Sequence, residues 1–207
     1  MNIIPIKYAE STLPESMIFE NGAKDILRPI SFIIYLIESQ GKRILVDAGC
    51  ETMPGFDMRR FVSPISALKD IGISPNYITD LIITHAHHDH IECAKYFESA
   101  LIHIQSEEYV QGKRYLPENT YVNIFEDRYS ITPEVTVVKI GGHTNGSCVV
   151  EVSSEENVYV IVGDECYSRE CIYRQIPTGS SKQPEKSKGF IEKYSDTNYK
   201  LLFCHDE

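Results

Sequence analysis

The sequence predicts an α/β fold in which a sheet-dominated core is covered by helices. Three observations lead there. Short runs rich in Val and Ile recur along the chain, helical stretches with clear start and stop residues lie between them, and 207 residues with 42% hydrophobic content can bury one full core but hardly two. A single domain over residues 1–207 is the expectation.

Taken in order, the β-branched apolar runs at 31–37, 43–46, 81–84, 101–104, 135–140, 148–152, 158–162 and 200–203 read as strands. Ser39-Gln40-Gly41-Lys42 is polar and separates the first two, which predicts an antiparallel hairpin with a loop of three or four residues. Glu155-Glu156-Asn157 predicts a second hairpin. Helices are expected over 64–71, opened by Pro64 and closed by Gly72, from after Asp89 to about Tyr96, over 106–112, and over 184–194 behind Pro184. Gly179-Ser180-Ser181-Lys182-Gln183 resembles a linker but is too short to divide domains.

Thirty acidic against twenty basic residues leave a formal charge of -10, which argues against nucleic acid as a partner. No apolar run approaches the roughly 18 to 20 residues of a bilayer span, so no membrane association is expected. The first residues lack a charged leader ahead of an apolar stretch, so a cytoplasmic location is expected. Cys50, Cys93, Cys148, Cys166, Cys171 and Cys204 are therefore read as reduced, mostly buried thiols.

One segment carries the chemistry. In Ile82-Ile83-Thr84-His85-Ala86-His87-His88-Asp89-His90-Ile91 an apolar strand runs straight into four histidines and a carboxylate. Imidazole binds zinc at neutral pH without losing a proton, and Asp adds an anionic oxygen that offsets the ion's charge. Alternate residues of an extended segment share a side, so His85 and His87 would face one ion, Asp89 and His90 another. A catalytic zinc needs about three protein ligands and an open position, so later donors are required. His143, Asp164 and His205 each end a marked strand, and glycines 141 and 142 let the backbone pass close to a site. His103, mid-strand and without evident partners, reads as an ordinary core histidine.

These residues resemble the metallo-β-lactamase-fold hydrolases. The family's H-x-H-x-D-H motif matches His85, His87, Asp89 and His90, and its later His, Asp and His match His143, Asp164 and His205. The resemblance runs from Ile44-Leu45-Val46-Asp47-Ala48-Gly49 to the last residues. It implies a four-layer αβ/βα sandwich, two mixed β-sheets flanked by helices. It also implies two Zn2+ per chain, with Fe or Mn as the alternative metals. His85, His87 and His143 would hold one ion, Asp89, His90 and His205 the second, and Asp164 would bridge them. Asp47 would either orient a ligand or serve as a strand-end turn residue.

An Asp at the bridging position resembles the glyoxalase II and lactonase branches. Tyr167, three residues after Asp164, matches the N-acyl-homoserine lactonases, in which that phenol reaches the substrate carbonyl. The implied reaction is hydrolytic opening of a lactone or cleavage of a related ester, with a small-molecule substrate and with Asp89, Asp164 and Tyr167 carrying the catalysis. The same framework also serves glyoxalase II-like thioesterases, iron persulfide dioxygenases and non-catalytic metal-binding modules.

Met53, Pro54, Phe56, Met58 and Phe61 are candidates for either a pocket rim or the core. Residues 168–183 form the other candidate rim, where Arg169, Arg174 and Lys182 would meet an anionic substrate or simply face solvent. His205 lies two residues from the last one, where chains tend to fray, so it is expected to be the least firmly held of the seven.

Overall fold

The computed structural model describes residues 1–206. Eleven strands and six α-helices follow in the order β1 (Asn2–Pro14), α1 (Glu15–Ile18), β2 (Leu27–Ser39), β3 (Lys42–Val46), α2 (Pro64–Asp70), β4 (Asp80–Ile83), α3 (His88–Ile91), β5 (Leu101–Gln105), α4 (Ser106–Gly112), β6 (Val122–Phe125), β7 (Arg128–Ser130), β8 (Val135–Lys139), β9 (Cys148–Ser153), β10 (Val158–Ile161), α5 (Arg169–Arg174), α6 (Pro184–Tyr194) and β11 (Tyr199–Leu202). One sheet has the order β1-β2-β3-β4-β5-β6, the other β11-β10-β9-β8-β7. Both are mixed: β3 to β6 run parallel beside the antiparallel β1-β2-β3 pairs, and β11 is parallel to β10 in an otherwise antiparallel sheet.

The layering follows from the period of two along each strand. Ile44, Val46 and Ile82 pack with Val137, Val150 and Ile161 in a cluster shared by the two sheets. Their neighbours Leu45, Leu81 and Ile83 turn the other way, into the cluster that includes Leu68, Ile91 and Ala94. On the second sheet Val149 and Val160 likewise turn outward with Phe190, Ile191 and Tyr194 of α6. This is the two-sheet, helix-flanked sandwich that the resemblance implied.

All eight expected strands are present, as are three of the four expected helices; the one expected from after Asp89 to about Tyr96 is instead the short α3 followed by a 3-10 segment, Glu92–Tyr96, and α1 and α5 were not expected. The first hairpin has a two-residue loop, Gln40-Gly41, shorter than expected. Its φ values of 49° and 77° are those of a type I′ turn, whose twist matches the strands it joins. β1 was not legible because Pro5 and Pro14 interrupt it; an edge strand tolerates proline because its outward N–H groups need no partner. The short β6 and β7 close the opposite edges. All six cysteines are free and buried, as expected. No described helix is long and apolar enough to cross a membrane.

His103 corrects one reading: it is buried but has partners, Asp80 Oδ1 at 2.9 Å and Asn123 at 3.2 Å. This network lies where β4 begins, at the end opposite the histidine-rich loop.

Candidate metal centre

The loops that follow β4, β8, β10 and β11 converge, so the two sheets supply side chains to one point. The loops are fastened to each other by backbone: Cys148 N donates to Thr84 O at 2.9 Å, and Ala48 N to His90 O at 2.8 Å. All seven residues matched to the motif meet here.

They form two groups. His87 Nδ1 lies 3.0 Å from His85 Nε2 and 2.9 Å from His143 Nε2. Asp164 Oδ2 approaches both of those, 3.5 Å from His85 Nε2 and 3.3 Å from His143 Nε2. The other oxygen, Oδ1, faces the second group, at 3.0 Å from both His90 Nε2 and His205 Nε2. Asp89 Oδ2 stands 3.6 Å from each of these two nitrogens. A single carboxylate thus turns one oxygen to each group.

A test of whether these donors suit a cation lies in their unmet hydrogen bonds. His90 Nε2, His205 Nε2 and Asp164 Oδ1 are buried without a hydrogen-bond partner, although they crowd together. Buried polar atoms left unpaired cost about 1–3 kcal/mol each, and a cation that all of them could ligate would satisfy the whole set. Donors of N and O type at these spacings fit a divalent transition metal. Burial also holds His85 well below the usual histidine range and His143 at about 4, so both are neutral with a lone pair available.

The outward nitrogens are pinned. His90 Nδ1 donates to Asp47 Oδ2 at 2.7 Å, and Asp47 also accepts from Thr84 N at 2.8 Å and Thr84 Oγ1 at 2.9 Å. Asp47 has a φ of 62°, so both readings offered for it hold: it is a turn residue at the end of β3 and it orients a histidine. His205 Nδ1 donates to Ser31 O at 2.9 Å, and its carbonyl accepts from Ser31 N at 3.1 Å. His205 is consequently buried and clipped to β2, which corrects the expectation of a loosely held ligand.

Two buried glutamates that sequence reasoning missed brace the loops. Glu108 of α4 accepts from Ala86 N at 2.8 Å, Thr144 Oγ1 at 2.5 Å and Gly146 N at 3.0 Å, tying the His85–His87 turn to the His143 turn. Glu165 accepts from Gly142 N at 3.1 Å, His143 N at 3.2 Å, Ser187 Oγ at 3.2 Å and Ser147 Oγ. Burial pushes its carboxyl up to about 7 in spite of these donors. Its position directly after Asp164 was the one available signal; nothing in the sequence distinguishes Glu108.

Tyr167 stacks on His205 with ring centroids 4.9 Å apart. Beside it opens a cavity of about 370 Å³ lined by Leu13, Met17, Ile30, Phe32, Met53 and Phe56 on one side and by the histidines, Asp89 and Asp164 on the other. Of the five apolar loop residues proposed for rim or core, Met53 and Phe56 line this cavity. Of the three cations in 168–183, only Lys182 reaches it; Arg169 pairs with Asp206 and Arg174 with Glu170.

A family model described as the metallo-beta-lactamase superfamily matches residues 34–188. The chain belongs to that superfamily. It is 30% identical over 122 residues to a probable metallo-hydrolase of Methanocaldococcus jannaschii, covering 58% of this chain and 52% of that one. It is 23% identical over 172 residues to an N-acyl homoserine lactonase of Agrobacterium fabrum, 65% and 62% of the respective chains. The chain therefore spans between half and two thirds of these relatives. A Bacillus thuringiensis N-acyl homoserine lactonase aligns over 83% of this chain and 80% of its own at 24% identity. Among solved structures, an N-acyl homoserine lactone hydrolase with N-hexanoyl-L-homoserine at its catalytic metal centre superposes with a TM-score of 0.85 at 20% identity, covering 99% of this chain and 92% of that one. A dizinc quorum-quenching lactonase superposes with a TM-score of 0.77 at 17% identity, covering 99% and 87%. This metallo-β-lactamase fold is the one that the family resemblance implied.

Proposed function

We propose that the protein is a metal-dependent hydrolase that opens lactones or cleaves related carboxylic esters, with two zinc ions per chain. The observation that carries this reading is the set of unpaired buried donors facing one another beside an apolar cavity and a tyrosine hydroxyl. In this reading His85, His87 and His143 would hold one ion, Asp89, His90 and His205 the other, and Asp164 would be shared between them. When bound, the metal supplies Lewis-acid polarisation of the ester carbonyl and lowers the pKa of water toward neutrality.

The chain's own residues do the rest. Leu13, Met17, Ile30 and Phe32 accommodate an acyl chain and keep bulk water from the reacting ester. Tyr167 donates its hydroxyl proton in a hydrogen bond to the carbonyl oxygen as negative charge develops there; burial raises its pKa well above 10, so it remains a donor across the working pH range. Asp164 receives the proton lost by the attacking water and returns it to the departing alkoxide, and Asp89 supplies negative charge beside it. Water is added across the ester bond and a hydroxy acid results. The similarity of this chain to N-acyl homoserine lactonases supports the oxygen ester.

Elemental analysis of the purified protein together with a panel of acyl lactones, thioesters, phosphodiesters and β-lactams tests the reading. Two zinc equivalents and lactone turnover far above that of free zinc are expected. Lactone turnover no greater than free metal would sink it, and bound iron with oxygen consumption would favour a persulfide dioxygenase instead.

A further inference from the structure

The apolar cavity is not alone at the metal centre. A second, also about 370 Å³, lies on the far side of His87 and is lined by Ala86, Glu107, Glu108, Gln111, Arg114, Thr144, Asn145 and Lys182. The two share His87 and Lys182. Their linings differ in kind: carbon on one side, and amide, hydroxyl and charge on the other.

Two carboxylates and two cations line this second cavity, and the carboxylates already have partners. Glu107 is engaged by Lys139 at 2.9 Å, and Glu108 is occupied by its three donors. Arg114 and Lys182, by contrast, have no carboxylate partner among the described residues. Both are exposed, and of the two side chains that of Arg114 is held in place. The Arg114 guanidinium lies over the Tyr115 ring, 4.8 Å from its centroid, and donates to Tyr115 Oη at 3.0 Å. Lys182 is fixed through its backbone, whose N–H donates to His143 O at 3.2 Å between Ser181 and Gln183, which both bond to Gly142 O. Two cations without a carboxylate partner, at a cavity that shares His87 with the metal centre, can receive an anionic group of a bound substrate.

We infer that this second cavity is an anion-binding subsite, and that the substrate is amphipathic: an apolar acyl group on one side of the scissile ester and a carboxylate or phosphate on its alcohol side, held by Arg114 and Lys182. The inference rests on the hydrolase reading above for the position of the ester. It adds to that reading a preference for substrates that carry an anion on the alcohol side of the ester.

The test separates the two readings by measuring binding apart from turnover. Calorimetric titration of the metal-loaded protein compares hexyloxyacetate, an unreactive ether, with its neutral amide. The carboxylate is expected to bind about tenfold more tightly, and the Arg114→Gln/Lys182→Gln double variant to lose most of that ratio. Any attraction of the carboxylate to the metal is common to both proteins and drops out of the comparison. The charge-conserving Lys182→Arg should keep the ratio, which separates lost charge from lost fold. In parallel, hydrolysis of O-hexanoylglycolate is compared with that of O-hexanoylglycolamide, and a phosphate on the alcohol side is compared with the carboxylate. A binding ratio unchanged in the double variant overturns the subsite even if esters are hydrolysed. A ratio that falls as expected while no ester is hydrolysed upholds the subsite and removes the hydrolase reading.

Discussion

His90 donates its Nδ1 proton to Asp47 across 2.7 Å, and that bond dictates which nitrogen of the ring looks toward Asp164. The backbone of Asp47 is left-handed, a conformation that Asn shares more readily than other residues. Asp47→Asn should therefore keep the turn and lose the charge. Cation affinity is expected to fall about 10- to 100-fold with little change in fold, as read by competition against a chromophoric chelator. An unaltered affinity would make Asp47 a turn residue and nothing more.

Tyr167→Phe retains the stacking on His205 and removes only the hydroxyl. We expect kcat on a lactone to drop about 100-fold while KM shifts little, because the hydrogen bond strengthens only as charge develops. A change confined to KM would reassign Tyr167 to the cavity wall.

Gly142 and Gly189 make a paired experiment. A Cβ at Gly142 would collide with Glu165 Oε2 and Ser187 Oγ and come within 2.9 Å of Ser187 N, so Gly142→Ala should destabilise by about 1–3 kcal/mol and loosen the turn that carries His143. Gly189 lies inside α6 with nothing within 4 Å of the point where an added methyl would stand, so Gly189→Ala should stabilise by about 0.5–1 kcal/mol. Urea midpoints of the two variants should move in opposite directions.

Asp80 governs the acid limb of stability. Burial alone would raise its carboxyl, but hydrogen bonds from His103, Lys42 and Thr79 outweigh burial and hold it at about 2, below the ordinary 3.8. A depressed acid stabilises the fold above its unfolded pKa and ceases to do so as pH falls through its folded pKa. Asp80→Asn should thus cost about 1–3 kcal/mol near neutrality, and the gap between its melting temperature and that of the wild type should close from about pH 4 down to about pH 2. A gap that persists at the lowest pH would show that packing, not charge, is what Asp80 provides.

The residues that converge at the centre were legible because they ended strands whose β-branched runs mark them plainly, and because four of them stand within six consecutive positions, His85 to His90. What held them in place was not legible. Glu108 and Ser31 act through contacts 22 or more residues away, to Ala86 and His205, and no local pattern announces such a pairing. Edge strands were missed for a related reason. β1 is 13 residues long, yet its prolines are acceptable only because of where it lies in the sheet, and that position belongs to the tertiary structure. His103 looked solitary for the same cause, its acid partner lying 23 positions earlier on a neighbouring strand.

The reciprocal bonds between Ser31 and His205 make the last strand of one sheet a clasp on the second strand of the other. Unfastening that clasp would move His205 away from Asp164 and part the sheets along the same seam. Loss of the ion and mechanical opening of the sandwich would then be a single event, and occupancy of the centre would set how rarely the seam breathes.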